Sequence, residues 1–189
     1  MSLAYSKAPK SSKLLRDYLY NYDRLKQFYN GSPFDPQAYS RLAKDVQRFS
    51  NPRSELVEIL LAQNKAFGAS EKTIENIRSL SDPNTFAVTT GQQVGLFSGP
   101  AFTLYKALTA IRLSEWLTSR GLKSVPVFWL ATEDHDLEEV SNASIFDDNY
   151  ELIRLQDSGE RPAPQSPVGR VKLTREITAQ IERLKSIRE

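Results

Sequence analysis

Two short segments hold most of the residues in this chain whose types and spacing suit chemistry. The first is Thr89-Thr90-Gly91-Gln92-Gln93-Val94-Gly95-Leu96-Phe97-Ser98-Gly99-Pro100. It sets Gly91, Gly95 and Gly99 at equal intervals and adds the side-chain amides of Gln92 and Gln93 and the hydroxyl of Ser98. Glycines at such a turn permit positive φ and let a ligand approach the backbone closely. The leading amides of a helix opening near Pro100 would attract an anion, with the helix dipole adding to the pull. Gln92 and Gln93 supply donors and acceptors without charge. The glycine spacing matches neither a dinucleotide fingerprint nor a P-loop, since no Gly-Lys-Ser/Thr follows. A tight strand-to-helix turn with incidental glutamines is the plainer use of the same residues. Lys106, with Tyr105 beside it, lies further along the helix and could reach a bound phosphate or carboxylate; a solvated charge is its plainer use.

The second segment is Glu133-Asp134-His135-Asp136, and His135 is the only histidine of the chain. Histidine titrates near neutrality and can serve as acid, base or ligand. A carboxylate next to it can hold its charge or orient its ring. Magnesium would prefer the carboxylates here, whereas zinc would need more nitrogen or sulfur ligands than the chain can supply. Asp136 followed by Glu139 fits a reciprocal helix cap, so capping accounts for most of Asp136. Asp134 and His135 are then the catalytic candidates, with Glu133 and Asp136 lining a substrate site.

Each segment follows an apolar run of the kind that forms a buried strand. Thr85–Thr89 is short and β-rich, and Val125–Leu130 is apolar throughout, with Pro126 tolerable only near its start. Between them, Gly99-Pro100 opens a helix through Leu104, Leu108, Ile111 and Leu117 that closes near Gly121. Strand, helix, strand predicts a βαβ unit with parallel strands covered by helices. Ligands of open α/β sheets bind beyond the carboxyl ends of the strands, where both polar segments fall. Further strands are expected at Tyr150–Leu155 and Arg170–Leu173. A mobile loop is expected from Gln156 to Pro167, and a last helix, capped by Thr174, carries Ile177, Ile181 and Leu184 on to Arg188-Glu189.

Before about Asp82 the pattern is helical only. Leu15, Tyr18, Leu19, Tyr22, Leu25 and Tyr29 form one stripe that Gly31 would stop. Asp35-Pro36 starts a second helix with Tyr39, Leu42, Val46 and Phe49. Asn51-Pro52 starts a third with Leu56, Val57, Leu60, Leu61 and Phe67, ending at Gly68. Both starts put a capping side chain just before a proline at the first helical position. Ser70 caps a short fourth helix with Ile74 and Ile77, and Ser81–Asn84 is a turn. The expected organisation is a helical segment over 1–82 and the first part of an α/β core over 83–189.

Composition narrows the class. The 189 residues are 40% hydrophobic and 25% charged, enough to bury a core. The net charge is +2 and dispersed along the chain, unlike the concentrated basic face of a nucleic-acid binder. No cysteine is present, which removes disulfides, thiolate metal sites and a cysteine nucleophile. The longest apolar run, Val125–Ala131, is far too short to span a bilayer. A cytoplasmic protein is the default expectation.

The composite Thr90–Pro100, Tyr105-Lys106-Ala107, Pro126-Val127-Phe128-Trp129 and Glu133–Asp136 resembles the bacillithiol-synthase (BshC) family of cysteine ligases. Pro167-Val168-Gly169-Arg170-Val171 and the helical beginning resemble it too. The resemblance implies a Rossmann-like core, distantly similar to class I aminoacyl-tRNA synthetases and nucleotidylyltransferases. It implies the last step of bacillithiol synthesis, in which the carboxyl of cysteine joins the amine of glucosaminyl malate. An activating nucleotide such as ATP or ADP, with magnesium, would suit that chemistry, but the histidine signature of the related nucleotide enzymes is absent. Family members are longer, with inserted segments and a C-terminal coiled coil associated with dimerisation. The chain is therefore expected to be the N-terminal portion of a homodimeric enzyme and inactive by itself. Two alternatives stay open: a metal-assisted phosphoryl or nucleotidyl transferase using Glu133, Asp134 and Asp136, and a non-catalytic small-molecule-binding module.

Overall fold

A computed structural model describes residues 11–49 and 52–187. The chain divides into two compact units: the described residues up to Phe86 together with Ser119–Lys123, and Ala87–Thr118 with the described residues from Ser124 on. Among the described residues no helix is long and apolar enough to cross a membrane.

The first unit is helical. Helix α1, Lys13–Tyr20, opens where Ser12 Oγ accepts the Leu15 amide at 3.1 Å. The aromatic stripe predicts one helix as far as Tyr29, but α1 stops at Tyr20 and gives way to 3₁₀ turns at Tyr22–Arg24 and Lys26–Phe28. The cause is Asp17, whose buried carboxylate accepts Lys13, the Asn21 side chain and Arg24. Asn21 thereby trades helical continuation for a side-chain bond. The chain folds back and gathers Tyr18, Tyr22 and Tyr29 with ring centroids 5.3–6.0 Å apart.

Helix α2, Pro36–Gln47, has Asp35 as its cap, accepting the Gln37 amide at 2.9 Å. Its buried positions are Ala38 and Ala43, while Val46 and Phe49, expected inside, are exposed. Helix α3, Arg53–Ala66, starts one residue later than expected, with Pro52 at the cap position and no side-chain cap bond; Asn51 lies outside the described residues. It ends before Gly68, which takes φ +72° as a helix-terminating glycine does. Helix α4, Glu71–Ser79, is capped by Ser70 and buries Ile74 and Ile77. Arg53 ties this unit together: one Nη donates to the carbonyls of Leu80, Asp82 and Thr85 at 2.9, 3.1 and 3.0 Å. The expected turn at Ser81–Asn84 is present, closed by Thr85 N to Asp82 O.

The second unit carries the sheet edge. Strand β1, Phe86–Gln92, pairs with β2, Ser124–Leu130, in a parallel two-stranded sheet. Bonds from Phe86 N to Lys123 O and from Ala131 N to Gln92 O fix the two ends of the register. β1 runs three residues beyond the expected Thr89, so Gln92 is its last residue. Helix α5, Ala101–Thr118, turns Ala110, Ser114 and Leu117 inward, and Gly121 closes the connection at φ +83°. β2 is not covered on both faces as its apolar run predicts, because Trp129 and Leu130 are 59% and 52% exposed. Among the described residues β1 is the one strand that pairs with β2.

Beyond β2, the single turn α6, Leu137–Val140, leads to an antiparallel hairpin of β3, Asn142–Phe146, and β4, Leu152–Gln156, with Ile145 opposite Ile153. β3 was not expected, since Asn142-Ala143-Ser144 lacks β-branched residues; a turn that Asp147 Oδ1 organises through the Asn149 and Glu151 amides makes the hairpin. The strand expected at Arg170–Leu173 is absent. Val168–Arg170 is a 3₁₀ turn, and only Lys172 bridges, to Glu160. The stretch expected to be a mobile loop is instead tied down by two buried side chains, Asp157 and Ser166. Asp157 accepts the amides of Gly159 and Thr174 and the Thr174 hydroxyl. Helix α7, Glu176–Ser186, follows with Arg175 at its cap position, while Thr174 Oγ accepts the Glu176 amide. Arg188 and Glu189 lie outside the described residues.

Candidate functional site

Because β1 and β2 are parallel, Gln92-Gln93 and Glu133–Asp136 leave the sheet at the same edge, and their side chains meet there. Lys106 Nζ donates to Gln92 Oε1 at 2.9 Å. Gln92 Nε2 donates to Gln93 Oε1 at 2.6 Å and to Glu139 Oε1 at 3.4 Å. Gln93 Nε2 divides its donors between Asp134 Oδ2 at 3.0 Å and Glu139 Oε2 at 3.1 Å. The outcome is a chain of side chains with an ammonium at one end, two neutral amides in the middle and two carboxylates at the other.

Asp134 is the hub of the acidic turn. Its Oδ1 accepts the amides of His135 at 2.6 Å and Asp136 at 3.1 Å. The Asp136 amide, then the Gln93 side chain and the His135 amide, hold its carboxyl below the usual carboxylate range. Such a group is a firm acceptor and a weak base. It fastens the backbone of the turn, not the imidazole, and the His135 side chain is exposed at the surface of the turn.

The remaining candidates separate by contact. Glu133 accepts Trp129 Nε1 at 3.1 Å. Asp136 Oδ1 caps α6 through the Glu139 amide at 3.0 Å. The expected reciprocal cap is only half made, because the Asp136 amide goes to Asp134 and the Glu139 carboxylate turns to the glutamines instead. A one-turn helix leaves that side chain free to reach β1, so Glu139 joins the site. Capping spacing alone concealed it. Among the described residues no three acids or histidines stand together in a way that would hold a metal ion.

The glycines serve the backbone. A Cβ on Gly91 would stand 2.7 Å from Trp129 O, so Gly91 sets the approach of β1 to β2. One on Gly95 would stand 2.8 Å from Gly99 Cα, and Gly99 takes φ +69°. Phe97 and Ser98 precede it at φ +50° and +74°, an unusual run for residues with a Cβ. The amides of Gly95 and Gly99 are both engaged inside the turn, on Gln93 O and Leu96 O. Those two amides are therefore not free to cradle a phosphate as in a P-loop. Ser98 is exposed and stands outside the hydrogen-bonded chain.

The family model for the bacillithiol biosynthesis BshC N-terminal Rossmann-like domain matches residues 1–189. The chain belongs to this family. A relative from Solibacter usitatus, named "Putative cysteine ligase BshC", is 39% identical over 168 residues, covering 89% of this chain and 30% of the relative. Relatives of the same name from Salinibacter ruber and Chloroherpeton thalassium are 38% and 41% identical, covering 90% and 88% of this chain. These alignments take in 31% and 30% of those relatives, so the chain spans about 30% of the length of the curated relatives it matches. The α/β architecture with a parallel sheet, read from the strand–helix–strand pattern, is the Rossmann-like fold of this family.

Proposed function

We propose that this BshC domain forms part of a cysteine ligase that joins the carboxyl of cysteine to the amine of glucosaminyl malate, completing bacillithiol. The single observation that carries the reading is the polarity of the side-chain chain at the sheet edge. Both proposed substrates bear carboxylate and amine in one small molecule. The site offers the complement, with Lys106 for a carboxylate and Asp134 with Glu139 for an ammonium.

In this reading Gln92 and Gln93 hold the two ends at fixed separation, and Asp134 fixes the turn that presents His135. His135 takes the proton released when the amine becomes an amide nitrogen, a role its exposure and chemistry allow. Glu133, held by Trp129, and Asp136, held by the α6 cap, border the site as positioning residues. A free carboxylate must be activated before an amine displaces its oxygen. With the Gly95 and Gly99 amides engaged inside their turn, carboxylate activation is assigned to none of these residues. As the resemblance implies, the setting is a cytoplasmic homodimer acting on small molecules.

The test is steady-state kinetics of ligation by a full-length polypeptide carrying this segment. Loss of a charge-assisted hydrogen bond is worth about 1.5–3 kcal/mol, or roughly 10–100-fold. Lys106→Met should raise KM for one substrate by that factor, and His135→Ala should lower kcat with KM nearly unchanged. Wild-type kinetics in both variants would overturn the assignment.

A further inference from the structure

The carbonyls of the acidic turn point to one distant segment. Thr132 O accepts Gly169 N at 2.9 Å, and Asp134 O accepts Val168 N at 2.7 Å. His135 O accepts an Nη of Arg161 at 3.0 Å, in addition to the Leu137 amide. Gly169 is also where a side chain would collide: an added Cβ would lie 2.8 Å from Thr132 Cβ and 3.1 Å from Thr132 O. Val168 is itself buried.

The segment that makes these contacts is itself closed at its base. Asp157 joins Thr174 across the loop, and Glu160 and Lys172 exchange both backbone hydrogen bonds just inside that junction. Ser166 Oγ, buried, bonds within the loop to Ala163 O at 2.8 Å. A ring of chain thus runs from Asp157 to Thr174, tied at its base, with Arg161, Val168 and Gly169 at the side that meets the turn. Arg161 pairs with no carboxylate among the described ion pairs, and its Nε is buried without a partner. One Nη donates to His135 O.

We propose that residues 161–169 are a clamp that positions the Asp134-His135 turn, with Arg161, Val168 and Gly169 as positioning residues acting through His135. The proposal rests on the reading of His135 as proton acceptor. It accounts for Pro167-Val168-Gly169, which neither the strand pattern nor the substrate site explains. Close approach demands glycine at 169, the amide of 168 must be a donor, and the carbonyls it meets belong to the turn that bears the histidine. Misplacement of a reacting group by about 1 Å can reduce turnover on the order of a hundredfold, so a clamp of this kind acts on kcat more than on binding.

Gly169→Ala tests it with two readouts. The first is the amide resonances of residues 132–136 and the imidazole Hε1 resonance in the labelled 189-residue chain, where His135 is the only histidine. The second is kcat and KM in the full-length polypeptide. Gly68→Ala, which forces an alanine into φ +72° with nothing within 4 Å of the new Cβ, controls for lost stability elsewhere. The expected result is that Gly169→Ala moves the turn resonances and lowers kcat about tenfold or more with KM within about twofold, while Gly68→Ala does neither. Arg161→Lys, which keeps a donor for His135 O, should retain more turnover than Arg161→Ala. Unmoved turn resonances in Gly169→Ala would overturn the clamp. So would moved resonances with wild-type kcat in a protein that His135→Ala inactivates. If His135→Ala keeps full turnover, the site assignment is what fails, and the resonances alone then decide whether the segment holds the turn.

Discussion

Replacing Gly91 by alanine separates a ligand-binding glycine from a strand-packing one. The added Cβ would stand 2.7 Å from Trp129 O, 2.9 Å from Trp129 Cβ and 3.4 Å from Trp129 C. Two of those atoms are backbone of the neighbouring strand, so no flexible side-chain end can yield. Paired strands are held near 4.7–4.9 Å apart by their ladder, and here the Ala131 N to Gln92 O bond lies one residue beyond the clash. Overpacking of this kind costs about 1–3 kcal/mol. Removing a glycine from the unfolded chain offsets about 0.4–1 kcal/mol of that, leaving a net loss of about 1–2 kcal/mol. For a chain of this size each kcal/mol is about 2–4 °C, so the expected fall in Tm is roughly 2–8 °C. Differential scanning calorimetry of the two proteins measures it. An unchanged Tm combined with lost substrate affinity would refute the packing argument and return Gly91 to the ligand.

Two further outcomes follow from single side chains. Arg53→Met removes one cation that serves the carbonyls of Leu80, Asp82 and Thr85, and should lower stability by about 2–3 kcal/mol; a fall in the urea midpoint at constant m-value checks it. Asp134 has a lowered carboxyl pKa because the Asp136 amide, the Gln93 side chain and the His135 amide favour its charged form. Its contribution to stability is therefore complete above the unfolded value near 3.8 and is lost as pH falls through the lower folded value. Asp134→Asn should destabilise at pH 7 and converge on the wild type at the acid end, read from Tm against pH; parallel curves would contradict the sign.

What the sequence reveals and what it conceals divide by range. Asp35 before Pro36, Ser70 before α4, and Gly68 and Gly121 after their helices act within a turn of their own positions, and each stands where local chemistry puts it. The strand–helix–strand core follows from periodicity in the same way. The failures are non-local. Asp17 breaks the aromatic stripe through Arg24 and Asn21, and no periodicity registers a buried carboxylate. β3 exists because β4 pairs with it. Within the site, Gln92, Gln93, Lys106 and Asp134 are brought into one chain of hydrogen bonds. Gly91 and Gly95 stand at close contacts and Gly99 takes a positive φ, needs that spacing alone does not tell apart because glycine answers both. Glu139 was visible only as a capping partner, and Arg161 stood in a proline-rich stretch with nothing local to single it out.

The two glutamines explain how opposite charges stay separate at this edge. An ammonium and a carboxylate within reach of each other form an ion pair and cancel, and neither then serves a substrate. Here Gln92 Oε1 accepts Lys106 while its Nε2 faces Gln93 and Glu139, and Gln93 passes its own donors to Asp134 and Glu139. An amide can do this because it is acceptor at one atom and donor at the other, with no net charge of its own. A hydroxyl is too short to bridge the span, and a carboxylate in either place would capture Lys106. Side by side at a strand end, Gln92 and Gln93 hold the cation and the acids apart and fix both. The resulting polarity runs along the sheet edge from Lys106 to Asp134, the residue whose carboxylate fixes the turn bearing His135.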